Sequence, residues 1–158
     1  MDIRRATIDD VPDLTRMGRA FLAASPHAAV LGPGSDADVR RAMHALVTDE
    51  DGVVLVAQHS DGRIVGMICG TKGTVWFAPQ HRIASELAWW VDAPSRGTRA
   101  ALALLCRWLE IVREIGYEFA SVSTLSADGS GTGSRMLTRC GFVPLETGWL
   151  VRLQEGEG

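Results

Sequence analysis

Glu86-Leu87-Ala88-Trp89-Trp90-Val91-Asp92-Ala93-Pro94-Ser95-Arg96-Gly97-Thr98-Arg99-Ala100-Ala101 is the stretch whose reading settles the architecture. Ser85 to Val91 has the composition of a strand, and Asp92-Ala93-Pro94 ends it. Arg96-Gly97-Thr98-Arg99 then leads straight into a long helix that begins near Thr98. Leu102, Leu105, Cys106, Leu109, Val112 and Ile115 mark its expected buried face, and Gly116 stops it. The first amides of a helix are unpaired and carry the positive end of its dipole. Gly97, Thr98, Ala100 and Ala101 are small enough to let an anion reach those amides, and Arg96 and Arg99 add positive charge. A strand that opens into such a helix is a phosphate-binding arrangement; ordinary strand-to-helix turns use the same residue types.

Downstream, Phe119 to Thr124 reads as a strand and Asp128 to Ser134 as a Gly/Ser-rich loop. A short helix runs to about Arg139 and ends at Gly141. Phe142 to Leu153 is expected to be extended, with a bend near Thr147-Gly148, and the polar tail from Gln154 to fray. Upstream, Val53 to Gln58 and Ile64 to Cys69 flank the turn Ser60-Asp61-Gly62 as a hairpin. Val75-Trp76-Phe77 extends it and Pro79 to Ile83 reads as a connection. Before the hairpin come a first strand, Ile3 to Thr7, and a helix with Asp9 as cap and Pro12 in its first turn. Val11, Leu14, Met17, Phe21 and Leu22 line one side of that helix. Pro26 to Ser35 reads as a loop, and a second helix starting at Ser35 or Asp36 carries Val39, Met43, Leu46 and Val47. The order β-α-α-β-β-β-α-β-α-β, without repeat or linker, predicts one domain over residues 1–158. Its class is α/β (α+β), a mixed sheet with helices on both faces.

Composition narrows the function classes. The chain has 158 residues, 46% hydrophobic and 22% charged, with a net charge of -3. That balance is globular, and it lacks the basic stripe of a nucleic-acid binder. No stretch approaches the ~20 apolar residues of a membrane span. Met1 to Arg5 has no apolar run behind it, so no signal peptide is read and a soluble, cytoplasmic protein is expected. Cys69, Cys106 and Cys140 are widely spaced in apolar surroundings and read as reduced, buried thiols. No ligand cluster calls for a metal.

Three segments carry a family resemblance. Ala88-Trp89-Trp90-Val91-Asp92-Ala93-Pro94-Ser95-Arg96-Gly97 resembles the fourth strand and pyrophosphate loop of the GNAT superfamily of acyl-CoA N-acyltransferases. That family's loop pattern is Gln/Arg-x-x-Gly-x-Gly/Ala; the match here is Arg96-x-x-Arg99-x-Ala101, with Arg99 in place of the central Gly. Met136-Leu137-Thr138-Arg139-Cys140-Gly141-Phe142-Val143-Pro144-Leu145-Glu146 is similar to the family's last helix and its Gly-Phe exit. Ile3-Arg4-Arg5-Ala6-Thr7 with Asp9-Asp10 is similar to its first strand and helix.

The resemblance implies a mostly antiparallel sheet splayed between its fourth and fifth strands, with acetyl-CoA as co-substrate and no metal. Main-chain groups near Trp90 and Val91 would pair with the pantetheine arm. The loop Arg96, Gly97, Thr98, Arg99, Ala100 and Ala101 would hold the pyrophosphate, with Ser130 bordering the cleft. An amine acceptor, small molecule or protein, would attack the thioester directly. Candidates are a protein N-terminus, a lysine, a polyamine or an antibiotic. Glu86 is the expected base, directly or through water, although the same position suits a solvated strand-end carboxylate. Many family members carry a Tyr in the last helix that protonates the leaving thiolate; Leu137 stands at that position here. Tyr117, the chain's one tyrosine, reads as structural. This departure leaves an alternative, an inactive GNAT-like module that binds acyl-CoA or a protein partner. No nucleic acid or membrane partner is expected, and a homodimer is compatible with the chain.

Gly129-Ser130-Gly131-Thr132-Gly133-Ser134 lies between a strand and a helix, where a phosphate loop would sit. It lacks the third Gly of a dinucleotide fingerprint and the Lys of a P-loop. His27, His44, His59 and His81 are scattered. Trp89 and Trp90, adjacent in a strand, must face opposite sides of the sheet.

Overall fold

The computed structural model describes residues 1–125, 131–146 and 148–151. Its strands are β1 (Asp2–Arg5), β2 (Gly52–Gln58), β3 (Ile64–Val75), β4 (Ala78–Val91) and β5 (Phe119–Ser121). The helices are α1 (Val11–Ala24), α2 (His27–Leu31), α3 (Asp36–Thr48), α4 (Ala100–Glu114) and α5 (Thr132–Arg139). The strands form one sheet in the order β1-β2-β3-β4-β5. The first four are antiparallel neighbours, and β5 alone runs parallel to its partner β4.

The sheet is covered on both faces, as the element order implies. One core joins Leu55, Ile68 and Ala84 to Leu104, Leu105 and Trp108 of α4 and to Leu137 of α5. The other joins Val54, Val56, Met67 and Cys69 to Leu14 and Met17 of α1 and to Val39 and Met43 of α3. β2 is buried along almost its whole length, which is why its sequence is a continuous apolar run rather than an alternation. Trp89 packs into the α4 core and Trp90 into the α1/α3 core, on opposite faces as their adjacency requires.

Several elements depart from the sequence reading. Pro26 to Ser35 is not all loop, because His27–Leu31 closes into a short helix. The second helix does start where expected, at Asp36, with Ser35 as its cap accepting the Asp38 amide at 3.1 Å. The expected connection Pro79 to Ile83 lies within β4. Pro79, Gln80 and His81 stand out of register between the Val75–Ala78 and Thr74–Arg82 pairs, so the stretch is bulged strand rather than loop. Trp76-Phe77 forms the turn.

In α4 the buried face is Ala100, Leu104, Leu105, Trp108, Ile111 and Val112. Leu102, Cys106 and Ile115, expected inside, are exposed. Residues 100–106 are apolar on every side, so spacing alone offered more than one phase. The fully buried Trp108 settles it, because a large ring must point at the sheet. Of the three thiols only Cys69 is fully buried. β5 stops at Ser121 rather than Thr124, and no strand forms over the described part of Phe142 to Leu153. Pro144 cannot donate to a ladder and Gly148 weakens one.

Among the described residues no helix is long and apolar enough to cross a membrane. No group of three or more His, Cys, Asp or Glu side chains there is placed to hold a metal ion.

Candidate active site

β4 and β5 pair only at Ile83–Phe119, Ala84–Ala120 and Ser85–Ser121. Beyond Ser85 the strands part, and β4 from Glu86 to Val91 keeps β3 on one side and, among the described residues, no strand on the other. The result is a fork with Glu86 at its apex.

Three features shape the apex. Opposite Gly70 the ladder slips: Gly70 pairs with Glu86 and Cys69 with Ala88, so Leu87 is bulged out of the pairing. A Cβ on Gly70 would lie 2.6 Å from the Trp108 ring and 2.8 Å from the Ser85 carbonyl oxygen. Only glycine lets the α4 tryptophan and the β4 backbone close on this point. The Ser121 hydroxyl donates to that of Ser85 at 3.1 Å, a side-chain tie across the last ladder pair. The Ser123 amide then donates to Glu86 Oε2 at 3.1 Å, so the carboxylate bridges the strands where their ladder ends.

Burial raises Glu86 to about 7, against the lowering effect of the Ser123 amide. A carboxyl group is thereby poised near neutrality, where a general base works best. Cys69, fully buried beside it, is pushed up to about 12 by burial and by the nearby Glu86 charge. That thiol stays protonated and serves as core.

Along the open arm of the fork the main chain decides what is available. The Asp92 amide donates to the Val65 carbonyl at 2.9 Å, so Asp92 faces β3. Alternation along the ladder then turns the main chain of Trp90 toward Met67 and that of Trp89 and Val91 toward the open edge. The Arg96 side chain agrees with this, its Nε donating to the Val91 carbonyl from the open side at 2.9 Å. Of the pair singled out from sequence, Val91 thus presents its backbone to the cleft, whereas the edge amide near Trp90 belongs to Trp89. Spacing along the strand did not reveal this, because the parity of the ladder depends on where the chain leaves it at Asp92.

The loop beyond the strand is a 3-10 turn over Ala93–Ser95 followed by Arg96, Gly97, Thr98 and Arg99. The Arg96 guanidinium lies 4.4 Å from the centroid of the Trp90 ring. Its charge is therefore anchored to the strand end. Gly97 has φ +78°, and a Cβ built there meets nothing within 4 Å. Its backbone therefore fronts open space. The Thr98 hydroxyl donates to the Ser95 carbonyl at 2.6 Å and accepts the Ala100 amide at 3.2 Å. Ala100 is fully buried and its amide is engaged, so it packs the helix rather than meeting a ligand. The amides of Gly97, Thr98, Arg99 and Ala101 have no protein acceptor among the described residues. Arg99 is exposed beside them. α4 begins at Ala100, two residues later than expected, with Arg99 at its N-cap position and the Thr98 hydroxyl holding the Ala100 amide just before the first turn.

Ser130 lies outside the described residues. Leu137 is buried in the α4 core. Tyr117 packs at the edge of that core under the Arg82 guanidinium, 4.3 Å from its ring centroid. Ser123 and Gly70 were missed from sequence. Both matter only because a parallel partner and a helix ring arrive at Glu86 from distant parts of the chain.

Neither a family model nor a curated protein matches the sequence. Solved structures do match its fold. A probable acetyltransferase superimposes with a TM-score of 0.78 at 16% identity, covering 98% of this chain and 99% of its own. A predicted acetyltransferase from Clostridium acetobutylicum, solved with acetyl-CoA, does so at 0.73 and 14%, covering 96% of each chain. Glucosamine-6-phosphate N-acetyltransferase from Arabidopsis thaliana reaches 0.69 at 15%, covering 97% and 98%. The chain has the GNAT acetyltransferase fold. Its strand fork, the bulge at Leu87 and the helix that starts at Ala100 are the parts of that fold on which a site can be built.

Proposed function

We propose that this protein is an N-acetyltransferase that moves an acetyl group from acetyl-CoA to a primary amine, with Glu86 as base. The observation that carries the reading is the half-buried Glu86 carboxyl at the apex of the β4/β5 fork, raised to about 7, on the strand that leads to an open helix N-terminus. The residues fit a pyrophosphate-bearing thioester. The unengaged amides of Gly97, Thr98, Arg99 and Ala101 face an anion with the positive end of α4 behind them. Arg96 braces the strand end, and Arg99 supplies exposed charge. The edge-facing main chain of Trp89 and Val91 offers strand-like hydrogen bonds to the amide-bearing pantetheine arm.

In this reading the neutral amine attacks the thioester carbonyl carbon, a C–N bond forms and the C–S bond breaks. Alignment of the two reactants provides much of the acceleration. Glu86 takes the proton that the amine nitrogen sheds. The thiolate leaves as an anion and takes a proton from water, which its pKa of about 8.5 makes undemanding. No tyrosine is needed, in keeping with Leu137 lying in the core.

The test is release of free CoA with a panel of primary amines, for the parent and for Glu86→Gln. The parent should turn over at least one class of amine. The variant should bind acetyl-CoA normally and lose about a hundredfold or more in kcat/KM for the amine. Binding of acetyl-CoA without turnover of any amine would overturn the enzymatic reading. Activity in the variant within about twofold of the parent would remove Glu86 from the chemistry.

A further inference from the structure

Asp92, the first residue beyond β4, is held at three points. Its amide donates to the Val65 carbonyl at 2.9 Å. One carboxylate oxygen, Oδ1, accepts the Trp90 indole N–H at 3.2 Å. The other, Oδ2, lies 2.8 Å from Arg16 Nη1 of α1. Arg16 itself ties three elements together. Its Nη2 donates to the Ile64 carbonyl at the start of β3 at 3.2 Å, and its Nε to Asp13 Oδ1 at 3.4 Å. None of these atoms belongs to the loop from Arg96 to Ala101. The Arg16 and Asp92 side chains are 49% and 23% exposed, and pairs open to solvent in this way add little to stability. What the pair fixes is geometry. The Trp90 ring, tethered by its N–H, becomes a platform, and the Arg96 guanidinium lies over it, 4.4 Å from the centroid.

Arg96 is thereby set from two sides. Its Nε donates to the Val91 carbonyl at 2.9 Å, and the Trp90 ring supports its flat face. Nη1 and Nη2 have no acceptor among the described residues. A guanidinium held in this way offers its two outer nitrogens as a fork for a phosphate group, beside the free amides of Gly97, Thr98 and Arg99. A loose arginine side chain surrenders rotamer freedom when it binds, and a preset one surrenders less. We propose that Asp92 is a positioning residue for acyl-CoA: through the Trp90 ring it presets Arg96 toward the pyrophosphate, and Arg16 anchors its carboxylate to α1. This role rests on the reading of residues 96–101 as the pyrophosphate site. It gives the Trp90 side chain a use that its main chain, turned toward β3, does not have.

The sign of one substitution separates this role from simple electrostatics. Asp92→Ala removes a negative charge beside an anion site, which by Coulomb attraction alone would tighten CoA binding. Positioning demands the opposite: calorimetry should show CoA affinity about fivefold or more weaker, with an unchanged circular-dichroism spectrum. Arg96→Ala should weaken binding as well. Adding Asp92→Ala to it should change affinity by less than about twofold, because the route to the ligand is already cut. Affinity in Asp92→Ala equal to or above the parent's overturns the role, and so does the full loss repeated in the double variant. Both results leave the pyrophosphate site standing. A parent that binds no CoA overturns site and role together. Should Asp92→Ala fail to fold, Asp92→Asn decides. It keeps the size of the side chain but one acceptor oxygen only, so either the Trp90 N–H or Arg16 goes unanswered. CoA binding should weaken about threefold or more; unchanged or tighter binding overturns the role.

Discussion

Two carboxylates show how position sets the sign of a pH effect. Glu86 keeps its proton in the folded protein up to about pH 7, whereas an unfolded Glu releases it near 4.3. Its contribution to stability therefore falls as pH rises from about 4.3 to 7 and is level above that. Glu86→Gln removes the half-buried charge yet leaves an oxygen for the Ser123 amide. At pH 8 the variant should be more stable than the parent by about 1–3 kcal/mol, read as a higher urea midpoint. The acid limb of the parent's kcat/KM profile, with an apparent pKa near 7, should vanish in the same variant. An equal or lower midpoint would show that the carboxyl is solvated and not poised. Asp10 behaves in the opposite way. Arg4 donates to both of its oxygens, at 2.7 and 2.9 Å, and the Thr7 amide donates at 2.7 Å. The Arg4 hydrogen bonds lead in holding it below the usual carboxylate range. Its stabilisation is present above about pH 4 and lost as pH falls through the lowered value. Asp10→Ala should lower stability by about 2–3 kcal/mol at pH 7 and by much less near pH 2, as urea melts at the two pH values will show.

At the scale of elements the site depends on how β4 meets its neighbours. Gly70 is the one position where the bulge of β4 and the Trp108 ring of α4 converge. Gly70→Ala puts a methyl group into both. It should destabilise the fold by about 1–3 kcal/mol and reduce turnover more than acetyl-CoA affinity, because the base moves while the α4 terminus does not. Equal stability by urea melt would mean that the strands can shift to admit the methyl. The α4 terminus is tested separately. Gly97→Pro removes one amide and demands a negative φ where the chain holds +78°. Affinity for CoA should fall about tenfold or more by calorimetry, a fall of the size expected when a hydrogen bond to a charged group is lost. Unchanged affinity would move the pyrophosphate elsewhere.

For the whole molecule, the cleft lies between two strands that only three residue pairs join. A ligand lying along both arms would tie β4 and α4 to β5, and anything bound only by the folded state raises its stability by mass action. At a concentration about a hundred times its dissociation constant, acetyl-CoA should add roughly 2.7 kcal/mol, visible as a melting-temperature increase of several degrees. Glu86→Gln should show the same increase and Gly97→Pro a smaller one. An unmoved parent melting curve would argue against binding in the fork.

Residue order alone disclosed the mixed α/β class, the two-sided covering of the sheet, the strand from Ser85 to Val91 and the helix after Gly97. Each of these is written in local pattern: apolar runs, caps, and Gly or Pro at the ends. The same holds for Trp89 and Trp90, whose adjacency in a strand put them in different cores. What local pattern could not supply was phase and partner. The face of α4 was ambiguous until Trp108 met Gly70, and the edge-facing amides proved to be those of Trp89 and Val91 once the Asp92–Val65 bond set the ladder's parity. Glu86 was legible as a carboxylate on the right strand. Its poise was not, because that comes from burial and from Ser123, 37 residues away. Phe142 to Leu153 was read as extended, but no strand forms over its described part, because pairing depends on distant contacts that local pattern does not record. Backbone hydrogen bonds between strands, ring packing and desolvation are all contacts between distant residues, and chain folding rather than local preference brings them together.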